Sequence, residues 1–401
     1  MGGNMAKALE NVRVLDFTRF YAGPFCTMLL QELGAEIIKI EIPGGGDAIR
    51  NFPPFTEGGE GYIFVNLNRG KKGITLNLES EKGREIAREL VLRADIVVEN
   101  FHPGIMDNFR LGYEELSKIK PSLIYASITG FGQTGPYSHR LAYDMIAQAM
   151  GGFMSVTGFT DNPPTRAGTA MGDFLSSLYT TIAIMAALRH KEQTGEGQLI
   201  DISLQDCVWA LTAIEYAPLY FLSGNAPQRY GNGIFNVTPF NTYPTKDGYA
   251  VVCIITIDQW QKFTEVIGRE DLKDAPGYVI QNDRVKHREE IDALVSEWTG
   301  ARTTAEVVDQ LTSAGLPCSP LPTFDEVVND PQLLSRQMIT EVEQPVSGKL
   351  RVPGSAFKLS KTPGDVSAPA PFLGQHNYEV YPSLLGYSEQ EVTKLADEGV
   401  I

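Results

Sequence analysis

Cysteine, histidine and positive charge are all scarce in this chain, and each scarcity closes off a class of chemistry. The four cysteines, Cys26, Cys207, Cys253 and Cys318, lie far apart with no CxxC pair, which argues against a zinc ribbon or a disulfide framework and fits a reducing cytoplasm. The five histidines, His102, His139, His190, His287 and His376, are dispersed, and no metal site is expected. With 34 Lys and Arg against 49 Asp and Glu the formal net charge is −15. A nucleic-acid partner is therefore not expected, and an anionic ligand would need a local basic pocket. No uninterrupted apolar run reaches bilayer-spanning length. The opening MGGNMAKALE has no apolar leader core and carries Ala6 where myristoylation wants Ser or Thr, so no membrane partner is expected. GxSxG, HExxH and GxxxxGK[ST] are all missing, which sets aside the simple serine-hydrolase, zincin and P-loop readings. Carboxylates are left as the chemistry.

What is present reads as an α/β protein. Short β-rich runs alternate with helical patterns in VRVLDF, AGPFCTMLLQELG, EIIKIEI, KGREIARELVLR, ADIVVEN and SLIYASIT, the rhythm of a doubly wound parallel sheet. The cluster PGGGDAIR (43–50) reads as a flexible βα turn rather than a phosphate cradle. Leu175, Leu178, Ile182, Met185 and Leu188 recur at helical spacing over 173–190, and a second helix is expected over 204–222. Residues 238–325 change character, with a hairpin around Asp247-Gly248 and helices over 258–268, 284–298 and 303–314. From 340 the chain is rich in Pro and Gly and reads as an irregular segment wrapping another surface, closed by a helix over 388–398. The expected division is a large α/β domain over 1–222, a small α+β domain over 223–330, and a segment over 331–401 returning to the large domain.

One acidic residue stands out. In TAMGDFLSSLYTTIAIMAAL (169–188), Asp173 immediately precedes a long helical run. Local pattern alone favours a helix cap. A reagent is the alternative, because a helix N-terminus offers unpaired N–H groups to a carboxylate and to an anionic intermediate.

Read in order, VRVLDFTRFYAGPFCTMLLQELGAEIIKIE, GGGDAIRNFPP, NLNRGKKGITLNL, ADIVVENFHPGIMDNF, LIYASITGFGQTGPYSHRLAYDMIAQAMGG, MGD, LPCSPLPTFDEVVNDPQ and APAPFLGQHNYEVYPSLLGYS resemble the class III CoA-transferases, the family of formyl-CoA transferase and carnitine CoA-transferase. The resemblance implies a Rossmann-like large domain built from both termini, a smaller α+β domain and an interlocked homodimer, or a pairing with a homologous subunit. It implies no permanently bound cofactor, with coenzyme A thioesters as substrates, an acyl-CoA donor such as succinyl-CoA, and a carboxylic acid acceptor. Asp173 is then the nucleophile, passing through an aspartyl anhydride and an aspartyl-CoA thioester.

Further positions carry over by the same resemblance. Phe20, Tyr21 and Ala22 line the thioester end of CoA. Leu76, Asn100 and Phe101 contact CoA, as do Asn108 or Arg110 at a displaced family arginine. Arg140, Tyr143 and Asp144 lie near the aspartate and the CoA phosphates, with Lys71 and Lys72 as further cations. Gly231 and Gly233 serve as hinges of a lid loop. Tyr21 stands where formyl-CoA transferase has Gln, and with Phe20, Trp209, Phe235 and Phe240 it points to a medium-sized, aromatic or dicarboxylic acid rather than oxalate or formate. Two other readings stay open: an α-methylacyl-CoA racemase-like enzyme, disfavoured because Ala142-Tyr143-Asp144 lacks the racemase histidine, and a non-catalytic CoA-binding subunit.

Overall fold

Runs such as Val14-Leu15, Ile37-Ile38 and Ile96-Val97-Val98 are apolar on both faces of an extended chain, so they need cover on both sides. They form a six-stranded sheet of β1 (Arg13–Asp16), β2 (Glu36–Glu41), β3 (Lys72–Thr75), β4 (Ile96–Glu99), β5 (Ile124–Thr129) and β6 (Leu199–Ser203) in the order β3-β2-β1-β4-β5-β6. Every neighbouring pair is parallel. The computed structural model describes residues 7–401; the expectations placed on residues 1–6 lie outside them.

Leu15, Ile38, Ile74 and Val97 bury one face under the helix Glu81–Leu92 and the C-terminal residues Val380, Tyr381, Val392 and Ile401. Val14, Ile37, Ile96 and Val98 bury the other under α1 (Ala22–Glu32) and α3 (Met171–Thr194). The strand order reverses between β1 and β4, so their following loops diverge and leave a crevice at the carboxyl ends of the strands.

Two compact units divide the chain: residues up to 153 with 167–218 and 331–401, and residues 154–166 with 219–330. The expected boundary at 222/223 instead falls inside α4 (Leu204–Ser223), and 154–166 group with the second unit. In the second unit, β7 (Phe240–Pro244), β8 (Tyr249–Cys253) and β9 (Cys318–Pro320) form an antiparallel sheet whose core includes Trp260, Phe263, Val295 and Leu311.

The C-terminal segment is more regular than its Pro and Gly content suggests. β10 (Ile339–Gln344) and β11 (Gly348–Pro353) pair as a hairpin whose Val342, Leu350 and Val352 join Ile49 and Phe64 in a small core. A helix over Asn377–Leu385 follows. Tyr381 donates its hydroxyl to the Thr75 carbonyl at 2.6 Å, and Asn377 brackets Thr75 with both ends of its amide.

α3 breaks its apolar runs with hydroxyl side chains. It is 24 residues long with an 18-residue window of mean hydropathy 1.3, apolar and long enough by those measures to cross a membrane. Inside this unit it turns a small, hydroxylated stripe of Ser176, Ser177, Thr180 and Thr181 inward. Those side chains return their hydroxyls to the carbonyls one turn back, which lets the helix approach α1 closely.

Candidate active site

The loop between β1 and α1 is held by charges that the apolar strands bury. Asp16, at the end of β1, accepts hydrogen bonds from the Thr18 amide and hydroxyl, the Thr27 hydroxyl and Lys71 Nζ. Burial alone would raise its pKa, but Lys71, Lys39 and the two hydroxyls hold it well below the carboxylate range. Lys39 donates to Asp47 at 3.2 Å and to the Thr18 carbonyl at 2.9 Å. Glu41 accepts from the Asp47 amide and from Arg50. The turn in PGGGDAIR is thus pinned through buried Asp47 rather than flexible.

This lattice sets Phe20 at φ +62, the left-handed region that a bulky side chain rarely enters, with its amide donating to Asp47. The Phe20 ring meets Phe52 and Tyr143 edge-on at 6.1 and 6.2 Å. Tyr21 packs edge-on against Phe174, which also meets Phe25 at 4.8 Å. Ala22 is buried, and its carbonyl accepts from the Ser177 hydroxyl.

Asp173 is not the helix cap. It is the third residue of α3, whose cap position is Ala170 without a side-chain bond. Burial first, and the neighbouring carboxylate of Asp144 second, push the Asp173 pKa up to about 7. The helix N-terminus acts in the opposite sense but contributes at most about 2 kcal/mol for a partly buried group, roughly one and a half pKa units at about 1.4 kcal/mol each. Burial therefore decides the outcome, and at neutral pH the group is poised between acid and carboxylate. Tyr21 feels the same surroundings: burial, and then Asp173, raise its hydroxyl pKa.

Of the residues expected at the site, Phe20, Tyr21, Ala22, Tyr143 and Asp144 converge with Asp173 through α1, α3 and α2 (Asp144–Met150). Leu76 does not fit a side-chain contact with CoA, because it is a core residue only 2% exposed. Asn100 is also committed elsewhere: its amide accepts from the Arg19 N–H and donates to the Arg19 carbonyl, both at 2.8 Å, tying the β1 and β4 loops together across the crevice. Phe101 lies under the Arg19 guanidinium at 4.8 Å.

Asn108, Arg110 and Arg140 are exposed, the last stacked over Tyr137. Lys71 is fully occupied by Asp16, Asn68, Thr27 and the Pro24 carbonyl, and Lys72 pairs with Glu36 and Glu379; neither is a free cation for phosphate. Gly231 and Gly233 lie in the second unit. A Cβ at Gly231 would strike the Phe159 ring at 2.7 Å, and Arg288 holds the adjoining carbonyls of Ile234 and Phe235. A separate cavity of about 150 Å³ is lined in part by Glu99, Asp107, Glu114 and Tyr125; burial above all pushes Glu99 up to about 7, and this acidic lining does not suit CoA phosphates.

Asp16, Lys39, Asp47 and Gln148 are functional neighbours that the sequence alone does not single out. The first two had a signal: charges within strand runs that are otherwise apolar must find buried partners. Gln148 had none, since a glutamine in a short helix looks the same whether it faces water or a neighbouring loop.

Comparison with known proteins agrees with this geometry. Residues 9–377 match the model of CoA-transferase family III. The chain is similar to the succinyl-CoA:D-citramalate CoA-transferase of Chloroflexus aurantiacus, at 37% identity over 98% of both chains. It is also similar to the succinyl-CoA:glutarate CoA-transferase of Mus musculus, at 39% identity over 98% of this chain and 90% of that one, and to the formyl-CoA:oxalate CoA-transferase of Streptomyces coelicolor, at 36% identity over 99% and 100%. Among solved structures, a CAIB/BAIF family protein from Brucella suis superposes with a TM-score of 0.83 at 35% identity, covering 94% of this chain and 99% of the other. A match of this extent, on this fold, leads to one conclusion: the chain belongs to CoA-transferase family III and is a CoA-transferase.

Proposed function

We propose that this enzyme moves CoA from succinyl-CoA to a dicarboxylic acid, with Asp173 as the nucleophile. The observation that carries the reading is a half-buried carboxylate in the first turn of a long helix, bordered by aromatic rings, with no hydrogen-bonding contribution to its pKa. A structural aspartate at that depth would be paired.

In this scheme a carboxylate oxygen of Asp173 attacks the thioester carbonyl, the C–S bond breaks, and CoA leaves as thiolate. The thiolate attacks the aspartyl carbonyl of the mixed anhydride, releasing succinate and leaving an aspartyl-CoA thioester. The acceptor carboxylate then displaces the thiolate to form a second anhydride. Attack of the thiolate on the acceptor's acyl carbon gives the new acyl-CoA and regenerates Asp173. Each step exchanges one activated acyl bond for another of similar energy. The aromatic rings of Phe20, Tyr21 and Tyr143 shape the acyl end of the site, and the five-carbon acids named in the similar succinyl-CoA enzymes support a dicarboxylic acceptor. Exposed apolar residues on α3 and α4, Ile182 and Met185 with Trp209 and Ile214, support a dimer.

The test is intact-protein mass after mixing with succinyl-CoA, followed by hydroxylamine and peptide mapping. A hydroxamate at Asp173 is expected; its absence with succinyl-CoA and a panel of other acyl-CoAs, in protein that still binds CoA, returns the racemase-like and non-catalytic readings. Because only the ionised carboxylate attacks, the rate of CoA release in the first step is expected to rise with pH through about 7. A rate that is flat from pH 5.5 to 8.5 contradicts the assignment.

A further inference from the structure

Asp144 was expected to touch substrate, but both of its carboxylate oxygens are engaged inside the protein. Oδ1 accepts the Gly172 amide at 2.7 Å, and Oδ2 accepts Gln148 Nε2 at 2.7 Å. Gln148 is 0% exposed. Its Oε1 accepts the Ala167 amide at 2.8 Å, and its Nε2 also approaches the Thr169 carbonyl at 3.4 Å. One side-chain pair, a single turn apart on α2, therefore grips the chain at three points just before the nucleophile. Ala170, at the cap of α3, supplies no side-chain acceptor, so an orphan first-turn N–H is satisfied from a neighbouring helix instead. Gly172 makes this approach possible: a Cβ there would lie 3.2 Å from Asp144 Oδ1, 3.2 Å from Ala147 Cβ and 3.4 Å from Val208 Cγ2.

We propose that Asp144 and Gln148 form a positioning brace for Asp173, capping the entry turn of α3 from α2 and fixing the direction in which the nucleophile projects. The inference rests on Asp173 being the nucleophile. Asp144 has a second effect through space, since its negative charge opposes ionisation of Asp173 and keeps it protonated to higher pH. The titratable groups facing Asp173 are Asp144 from α2 and Tyr21 from the turn ahead of α1; from α4, the side chain next to Gly172 is the uncharged Val208.

The two members are separable by substitution. Asp144→Asn keeps an oxygen for the Gly172 amide but removes the charge. The pH limb of the first acyl-transfer step is expected to move down by about one unit. Gln148→Leu keeps the charge but releases Ala167; kcat is expected to fall about 10- to 100-fold through loss of orientation, with KM for acyl-CoA unchanged and the limb in place. Gln148→Met, which likewise offers no acceptor to the Ala167 amide, serves if the leucine variant does not fold. A limb that stays put in Asp144→Asn, or a raised KM with constant kcat in either variant, overturns the brace and returns Asp144 to substrate contact. The Asp173 titration is also read without catalysis, as the pH dependence of the stability difference between the parent and its Asp173→Asn variant, with Asp144 and then with Asn at 144. A shift there with no hydroxamate on Asp173 would reject the nucleophile while retaining the brace; a hydroxamate with no shift would do the reverse.

Discussion

Asp173→Asn is expected to remove turnover while making the protein more stable at neutral pH. The first effect follows from chemistry: without a carboxylate no anhydride forms, and loss of a covalent nucleophile lowers kcat by roughly 10³-fold or more. The second follows from linkage. The folded state holds the Asp173 proton up to about pH 7, whereas the reference value is 3.8. Between those values the unfolded chain binds fewer protons than the folded one, so stability falls as pH rises through that window. An amide at this position carries no such penalty. The gain should be absent below pH 3.8, grow as pH rises towards about 7, and stay level above it, reaching a few kcal/mol at about 1.4 kcal/mol per unit. Urea melts of both proteins at pH 4 and pH 8 measure it. Equal differences at the two pH values would mean that the native carboxyl titrates normally.

Lys71→Met is expected to be among the most damaging single substitutions in the large unit. Lys71 and Asp16 are both wholly buried, and the ammonium also serves Thr27, Asn68 and the Pro24 carbonyl. Removing it leaves a carboxylate in a dry site and three acceptors short of a donor, which costs about 3–5 kcal/mol. Adding Asp16→Leu should recover much of the loss, because two buried charges are then absent rather than one. Thermal melts of the single and double variants decide this. A single variant within about 0.5 kcal/mol of the parent would show that the lattice is not holding the β1 loop. The loop bearing Phe20 depends on this lattice, so even the refolded double variant should turn over slowly.

The sheet and its long helices were legible because their signals are local. Apolar runs with both faces covered can only be buried strands, and Leu175, Leu178 and Ile182 repeat at helical spacing. The hairpin β10–β11 was also written in alternation, with Val342, Leu350 and Val352 one residue apart from charged neighbours, but flanking Pro and Gly masked it. Asp173 became visible through resemblance rather than pattern, since an acid ahead of a helix is usually its cap. Lys71, Asn100 and Asp144 were expected at the ligand for one physical reason. Each is a polar residue near a site, and sequence does not say whether such a group is free for a ligand or already spent on the backbone. That depends on partners such as Asp16, Arg19 and Gly172, which the fold alone brings into range.

The last helices of the chain close over β3, an edge of the sheet made from the first hundred residues, with Thr75 bonded to Asn377 and Tyr381. During synthesis these residues are made only after the whole of the second unit. Until then Ile74 and its neighbours lack their lid, and the growing sheet has an open, apolar margin. The second unit, inserted in sequence between the parts of the first, has its own core and can mature earlier. The large unit must therefore wait for its 331–401 segment, which makes that segment a late checkpoint in folding and a poor place for deletion.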